Sequence, residues 1–421
     1  MIQLPGGRLL PLLLAAAAPL AGQAGGGVHV GAQAIGAVIH ADPVPGGGSL
    51  TEARVSQPMV MVDAVALGGH LAFRGTLNLE GQTMRRGELL PGGWGEGYND
   101  RRHPHTYAHE LMLTGADLLG RLDGPVRVMV GVGKGFVPYG SDDPMTRPVF
   151  RYPVNHHLAQ LLERAVVMAG VRAGPVAVEG AVFNGDEPEH PGQWPKLDRF
   201  GDSWAARLTV LPAAGVELAV SRASVKSPEH RPGAGSTAWK WHLSARATRP
   251  VLGGAGYAMV EWARTEEAWG FFVFRSLLAE TSWRHGPHQP YYRFERTDRP
   301  EDMRTLNLFR SVRPHLENSI LGTTRFTLHT VGYAYERRLG EGALAVSPFV
   351  EATLGTARAI DGGVLTPKIL YGATSIRAVA GGLRVAFGMR GHRMGRYGAL
   401  LAPAAAAHDH DAMDHPTGTL P

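Results

Sequence analysis

The chain has 421 residues, of which 42 are Lys or Arg and 37 are Asp or Glu, and it contains no cysteine. The absence of cysteine excludes a disulfide framework and thiolate chemistry, and it suits a chain exported to an oxidising compartment. The basic excess is mild and spread along the sequence, with no basic cluster interleaved with aromatic residues, so we expect no nucleic-acid partner.

Residues 1–24 have the pattern of an export signal. One positive charge, Arg8, precedes an apolar run over residues 9–20, and small residues follow up to Ala24. The run is too short to span a bilayer, so we predict a signal peptide cleaved after Ala24. No other stretch of the sequence is apolar for long enough to form a membrane-spanning helix.

From about residue 28 to 387 the chain alternates apolar and polar residues in short stretches. In residues 239–246 two tryptophans, a leucine and an alanine occupy one face of an extended chain, and Lys240, His242 and Arg246 share the other with a serine. This period of two predicts β-strands. Sixteen such stretches occur, at residues 28–40, 56–67, 69–80, 107–118, 125–133, 163–174, 176–184, 202–212, 215–225, 237–249, 256–265, 271–284, 290–297, 324–338, 344–355 and 375–387.

Connections at one end of the predicted strands are long, and those at the other end are short. If the first strand runs outward, every outer connection except residues 266–270 is long, and the inner connections are short and rich in Gly and Pro. Long extracellular loops and short periplasmic turns are typical of outer-membrane barrels, whereas a soluble sandwich has no reason to sort its loops. Closure also removes the two free edges of an open sheet. We therefore predict an all-β fold, a transmembrane antiparallel β-barrel of about 16 strands (14–18) in the outer membrane.

Two of the predicted strands fit the alternation poorly. In residues 256–265 the charged Arg264 is in phase with Trp262, and residues 324–338 require a bulge or a phase slip. The predicted regions are a signal peptide, the barrel, and a flexible His- and Asp-containing periplasmic tail: 1–24, 25–397 and 398–421.

The polar face of the strands would line the lumen. A barrel of this size normally leaves an aqueous interior that outer loops narrow. The predicted pore-lining residues are Lys240, His242, Arg246, Glu280, Arg293 and Glu295. The third outer loop, residues 134–162, is long and charged, so it either folds inward to constrict the pore or lies as a solvated surface loop. The candidate constriction residues are Asp142, Asp143, Arg147 and Arg151.

Histidines are concentrated in the second outer loop, in the third outer loop and in the tail. Histidine is the commonest metal ligand, and a His-x-His pair can chelate Cu(II) or Zn(II). The candidate metal ligands are His103, His105, His109, His156, His157, His408, His410 and His415. The alternative is that the loop histidines bond loop backbone at the rim and that the tail is a polar terminus. The tail would lie across the membrane from the loops, so the two cannot form one site.

We predict that the chain is not an enzyme. No serine is paired with a histidine by spacing, and no phosphate loop, metalloprotease helix or nucleophile elbow occurs. A surface enzyme or an adhesin built on a barrel scaffold is kept as a third alternative.

Several stretches carry a resemblance to a known family. They are Asp100-Arg101-Arg102-His103-Pro104-His105, Asn155-His156-His157, residues 179–185, residues 202–208, Lys226-Ser227-Pro228-Glu229 and residues 278–284. In them the chain resembles uncharacterised porin-like outer-membrane barrels whose second outer loop ends in a D-R-x-H-P-H-D type motif. The resemblance ends near Tyr397 and implies an outer-membrane setting, sometimes beside metal-resistance systems.

Two departures from that family matter. Thr106 stands where the family usually has an acidic residue, which weakens a metal site at His103 and His105. A long tail follows Phe387, where the family would end in a terminal aromatic.

These patterns lead to two main predictions of function. The first is a porin-like channel for passive or weakly selective passage of small hydrophilic solutes or ions, embedded in outer-membrane lipid, without a resident cofactor and assembled as a homotrimer. The second is a metal-handling outer-membrane barrel of a resistance or uptake system, in which Cu or Zn binds to the loop and tail histidines.

Overall fold

The computed structural model describes residues 27–83, 105–118, 120–122, 124–186, 188, 191–226, 237–267, 270–301, 320–340, 343–388 and 393–397. Within these ranges the strands are β1 Gly27–Asp42, β2 Leu50–Ala66, β3 Leu71–Asn78, β4 Ala108–Ala116, β5 Val126–Gly135, β6 Arg164–Ala173, β7 Val176–Phe183, β8 Ser203–Ala213, β9 Val216–Lys226, β10 Thr237–Val251, β11 Gly254–Glu267, β12 Phe272–Arg284, β13 His288–Glu301, β14 Gly322–Tyr335, β15 Arg337–Leu339, β16 Leu344–Ala359 and β17 Ser375–Phe387.

These strands form one closed antiparallel sheet. Each strand pairs with its neighbours in the chain, and β1 pairs with both β2 and β17. Strand β15 continues β14 beyond a break at Glu336, so the described wall has sixteen strands. The predicted barrel is therefore confirmed. The bulge or phase slip predicted for its fourteenth strand is not found, because the register with β16 is the same on both sides of the break. At the break the amide of Glu336 donates to the carbonyl of Pro287 at 2.8 Å.

The outer face of the wall is apolar and the inner face is mixed. Leu243, Val260 and Leu354 are exposed by 48%, 49% and 62%, which places them on the face that meets lipid. Their neighbours along each strand are buried inside. Because closure bonds every strand to two others, the wall satisfies its backbone groups without water, which is how a sheet crosses a membrane. The chain is an outer-membrane β-barrel.

In the described ranges, helical structure is confined to short segments outside the wall. They are α1 Glu80–Thr83, α2 His156–Ala159, α3 Pro367–Tyr371 and the 3-10 turns Leu67–Gly69, Pro144–Thr146 and Leu197–Arg199. None of the helices in the described ranges has the length and hydropathy needed to cross a bilayer.

Some strands extend further than the sequence predicted. Strand β2 begins at Leu50 instead of residue 56, and β13 continues to Glu301 instead of ending at 297. Both extensions lie at the loop end of the barrel. The extension of β13 carries polar residues on both faces and has no alternation to detect. Residues 51–55 of β2 do alternate, but the predicted strand boundaries leave them in the first outer loop. Arg264 lies on the outer face with Trp262, as the sequence pattern indicated. This exterior is therefore not purely apolar.

The interior of the barrel is occupied rather than open. Residues 136–163, called the inward loop below, leave β5, cross the lumen and return to β6. Apolar side chains of this loop join cores with both halves of the wall, for example Tyr139 and Leu161 with β5–β10, and Phe150 and Val154 with β1 and β14–β17. At this level the loop narrows the predicted aqueous interior, because it packs against the inner face.

Candidate pore constriction

The two arms of the inward loop are bonded to each other near the base. Gly140 and Gln160 form an antiparallel bridge, and the amide of Val137 donates to the carbonyl of Leu161 at 2.9 Å. Gly140 has a φ of +77°, and a Cβ there would collide with the carbonyl oxygen of Ala159. Glycine is therefore required where the arms meet.

The tip of the inward loop is fixed to the wall opposite its base. Arg151 forms an ion pair with Glu295 of β13, and the amide of Val154 donates to the same carboxylate at 2.7 Å. The amide of Phe150 donates to Glu351 of β16 at 2.6 Å. Strands β5 and β13 are eight positions apart in a ring of sixteen, so the loop divides the lumen from side to side.

Arginines and glutamates alternate along the line where the loop meets this wall. The guanidinium of Arg147 lies 3.7 Å from Glu261 and 3.8 Å from Glu280. The next arginine, Arg293, donates to Glu280 at 2.9 Å and to the carbonyl of Arg151 at 2.5 Å. All of these charged groups are buried. Charges of both signs therefore stand side by side across the middle of the barrel.

Asp142 connects the loop to two further elements. Its carboxylate is paired with Arg246 of β10 and with Arg393, which is 2.6 Å away, while Arg396 is 3.5 Å away. Burial opposes ionisation, but these three guanidinium groups outweigh it and hold the pKa of Asp142 well below its usual range. Asp142 is therefore a fixed negative charge.

Residues 393–397, called the C-terminal segment below, lie inside the barrel after the last strand has ended. The amide of Phe136 donates to the hydroxyl of Tyr397 at 3.0 Å, and Arg74 of β3 donates to the carbonyl of Arg396 at 2.7 Å. Met394 is buried in the same core as the base of the inward loop. The wall thus ends at Phe387, and residues 393–397, which belong to the predicted barrel region, lie in its interior.

His105 of the second loop, His109 of β4 and His156 of the third loop meet near the base of the inward loop. The rings of His105 and His109 are 5.1 Å apart, and those of His105 and His156 are 5.6 Å apart. His105 donates to Glu80 at 2.8 Å, and His109 donates to Glu163 at 2.7 Å.

A carboxylate of the inward loop also reaches this histidine cluster. One oxygen of Asp143 lies 3.9 Å from His109 and 3.7 Å from His156. Burial disfavours the charged carboxylate, yet the two histidines hold the pKa of Asp143 well below its usual range. The cluster therefore binds the loop to β4 and to the start of β6 through charged contacts.

The metal prediction gains no support from this geometry. No group of three or more His, Cys, Asp or Glu side chains in the described ranges is arranged to hold a metal ion. His157 is half-buried beside His156, with its carbonyl accepting from Lys240 at 3.2 Å. His103 and the tail histidines lie outside the described residues: His408, His410 and His415. Metal binding remains a prediction.

The structure brings together most residues that the sequence assigned to the pore. The four constriction candidates are all buried in the lumen, and the six pore-lining candidates are all on the inner face. Five of those six are covered by the inward loop instead of facing open space, and Arg246 is half-buried. Whether they contact a passing solute stays a prediction.

Sequence reasoning missed several groups at this constriction. Glu261 and Glu351 hold the loop, and Arg393 and Arg396 pair with Asp142. The two glutamates could have been predicted from the alternation, since each is at an inward-pointing position of its strand. The two arginines had none, because they follow the last strand and no alternation extends to them.

A scan against models of protein families returned no match, and neither did a search of curated proteins. The resemblance at residues 100–105 therefore stays a prediction, and residues 100–104 lie outside the described ranges.

Solved structures similar to the chain are outer-membrane barrels. An anion-selective porin from Comamonas acidovorans has 12% identity and a TM-score of 0.48, with 86% of this chain and 100% of that one covered. OmpT, an outer membrane protein of Vibrio cholerae, has 11% identity and a TM-score of 0.49, with coverage of 88% and 100%. A Salmonella typhi OmpF in complex with daunomycin has 11% identity and a TM-score of 0.45, with coverage of 86% and 98%. Identities and TM-scores this low do not transfer a function, so the function is argued from the residues of this chain.

Proposed function

We propose that the protein is an outer-membrane channel for small hydrophilic solutes or ions in which the inward loop determines what passes. The observation that carries this proposal is the loop itself, which reaches the opposite wall and is fixed there by buried Arg147 and Arg151. Fixed charges at a narrow point select permeants by charge and size. A barrel that served only as an anchor would not need a loop bonded across its lumen.

The described conformation favours a narrow passage over a wide one. The inward loop covers the inner face of β10–β14, and the C-terminal segment fills space beside β3 and β9, where Arg396 bonds Glu217 at 2.5 Å. We therefore propose a low-conductance, discriminating pore, and we expect that solutes pass beside the loop when it or the C-terminal segment moves.

The test is electrical. The chain without its predicted signal peptide, residues 25–421, is refolded into a planar bilayer, and single-channel current and reversal potential are measured in a KCl gradient. We expect small discrete steps. Arg147→Gln removes a positive charge from the constriction and should shift the reversal potential towards cation preference, whereas Arg54→Gln at the rim should not. A correctly folded, heat-modifiable barrel without conductance would overturn the proposal.

The state of assembly is a separate expectation. We propose a homotrimer because porin-like barrels of this size commonly assemble in threes. Light scattering of the detergent-solubilised protein, corrected for bound detergent, distinguishes a trimer from a monomer.

A further inference from the structure

Among the arginines on the outer face of the barrel, four lie close together on one side of the wall, where a lipid-facing surface would be expected to carry apolar residues. They come from β9, β11, β12 and β13, and each is within five residues of the loop end of its strand. This arginine patch consists of Arg222, Arg264, Arg275 and Arg296.

The strand register places three of these arginines and a tryptophan in one continuous row. Trp241 of β10 is directly opposite Arg222 on one side and Arg264 on the other. Arg264 is in turn directly opposite Arg275. Like charges directly opposite each other in a sheet are destabilising unless something between them is negative.

Tryptophan rings hold two of the guanidinium groups in place. The guanidinium of Arg222 lies 4.9 Å from the ring centre of Trp239 and 5.5 Å from that of Trp241, and Arg264 lies 5.3 Å from Trp241 on its other side. Stacking fixes the plane of a guanidinium and leaves its N–H groups at the edge free to donate. The patch is therefore organised before any ligand arrives.

The patch has more positive charge than its neighbours neutralise. Arg264 pairs with Glu266. The nearest other acid along the row, Asp298, is held by Arg325 at 2.6 and 2.9 Å. Arg222, Arg275 and Arg296 are exposed, and none forms an ion pair with any residue that the structure describes. Three guanidinium groups thus face outward without an anion.

The position of the patch identifies the surroundings it meets. On the same face, one step deeper, are exposed apolar residues such as Val220, Leu243 and Leu277. The patch therefore borders the hydrocarbon band, at the loop end that faces outward in this class of barrel. Aromatic residues beside arginines at that depth meet lipid headgroups.

We propose that the arginine patch binds the phosphate groups of the phosphorylated lipid in the outer leaflet of a Gram-negative outer membrane. Guanidinium groups bind phosphate through paired, charge-assisted hydrogen bonds. A phosphate between Arg264 and Arg275 would relieve their repulsion, and the lipid chains would lie on the apolar surface below. This binding site does not depend on whether the lumen conducts.

The experiment measures binding of lipid A by native mass spectrometry of the folded protein in detergent, with bisphosphorylated and dephosphorylated lipid A as separate probes. We expect the bisphosphorylated lipid to be retained and the dephosphorylated one to be lost. Arg222→Gln/Arg275→Gln should weaken retention by about tenfold or more, and excess inorganic phosphate should not displace the lipid.

The matched control changes two arginines at the turn end of the same wall, Arg249→Gln/Arg337→Gln, and should retain the lipid. The proposal is overturned if the patch variant binds as well as the parent, if the control loses as much, or if both lipids bind equally. Heat-modifiable migration confirms that each variant is folded. If the double variant does not fold, Arg275→Gln and Arg275→Lys are compared, and the lysine variant should retain more lipid.

Discussion

The wall of the barrel and the inward loop are stabilised by different interactions. The wall is a ring of backbone hydrogen bonds in which each strand pairs with two neighbours along its length. The loop has little regular structure and is held by side chains, such as the contacts of Glu295 with Arg151 and with the amide of Val154. Backbone pairing hardly depends on which side chains are present, whereas a buried ion pair fails when one partner is lost.

In the channel proposed above, this difference would separate folding from selectivity. Because the wall closes without help from the loop, the loop can change its charges without endangering insertion into the membrane. The groups that face the loop, such as Glu261 and Glu280, are placed by the strands at fixed spacing. A rigid frame thus presents charges to a segment that can be altered, which is how a selective pore is tuned.

Removing the inward loop should change conductance most while leaving the wall folded. Replacing residues 141–159 by a short Gly-Ser linker leaves every wall pairing intact but removes the partition across the lumen. We expect the barrel to remain folded and its conductance to rise severalfold. Single-channel recording and heat-modifiable migration measure the two properties together. Loss of the folded band would show that the loop is part of the folding core and would contradict the separation of roles.

Removing one wall charge tests the loop's attachment alone. Glu295→Gln leaves Arg151 buried without its partner, which costs about 3–5 kcal/mol in comparable pairs. The tip of the loop should detach, so trypsin should cleave after Arg151 in the folded barrel, where the parent resists.

The matched control for this attachment is Glu52→Gln, near the rim. Glu52 pairs with Arg54 at 3.5 Å, with both side chains partly exposed, and such pairs contribute about 0–1 kcal/mol. Glu52→Gln should therefore leave the rate of trypsin cleavage after Arg151 unchanged. Equal resistance of Glu295→Gln and the parent would mean that the loop is held mainly by its apolar core.

The wall could be predicted from sequence because its signal is local. Alternation over a few residues located all sixteen strands, and it lost strand ends where polar residues occupy both faces, as in the last residues of β13. Arg264 looked anomalous in the pattern and is indeed on the outer face, where it belongs to the arginine patch. The anomaly therefore marked a real feature of the surface.

The interior could be predicted only in part. The charges of the third loop suggested an inward fold, but their partners are distant in sequence, as Arg151 and Glu295 are. Such pairings depend on closure of the whole sheet and leave no local pattern. The convergence of His105 and His156 also depends on closure, which places the second and third loops side by side.

Removing the contacts of the C-terminal segment should also change conductance without affecting the wall, but by less. Arg393→Ala/Arg396→Ala removes the guanidinium groups that pair with Asp142 while leaving all strands and the tip of the loop unchanged. We expect a modest rise in conductance, smaller than that caused by loop deletion, because only the side of the lumen next to β9 is cleared. Arg377→Ala, which removes an exposed partner of Asp42, is the control. Unchanged conductance in the double variant would indicate that the segment lies away from the permeation path.

Acidification should loosen the base of the loop while leaving the wall intact. Glu163 accepts from His109 at 2.7 Å and from the amide of Thr106 at 2.7 Å. Burial favours the neutral carboxyl, but His109 outweighs it and lowers the pKa of Glu163 from 4.5 to about 2. A depressed pKa contributes stability above the unfolded value, which is lost as the pH falls through the folded value. Docking of the loop should therefore be constant from pH 8 to 5 and weaken between about pH 4 and 2, by at most about 3 kcal/mol.

Single-channel noise measured across this pH range tests that window. Detachment of the base should appear as flickering at low pH in the parent, whereas Glu163→Gln, which cannot ionise, should flicker already at pH 7 and change little on acidification. Glu52→Gln should follow the parent. The wall has no titrating group in its backbone ladder, so the barrel should keep its heat-modifiable migration throughout. If flickering in the parent began near pH 6 instead, a group other than Glu163 would control the base of the loop, and the assignment to Glu163 would be wrong.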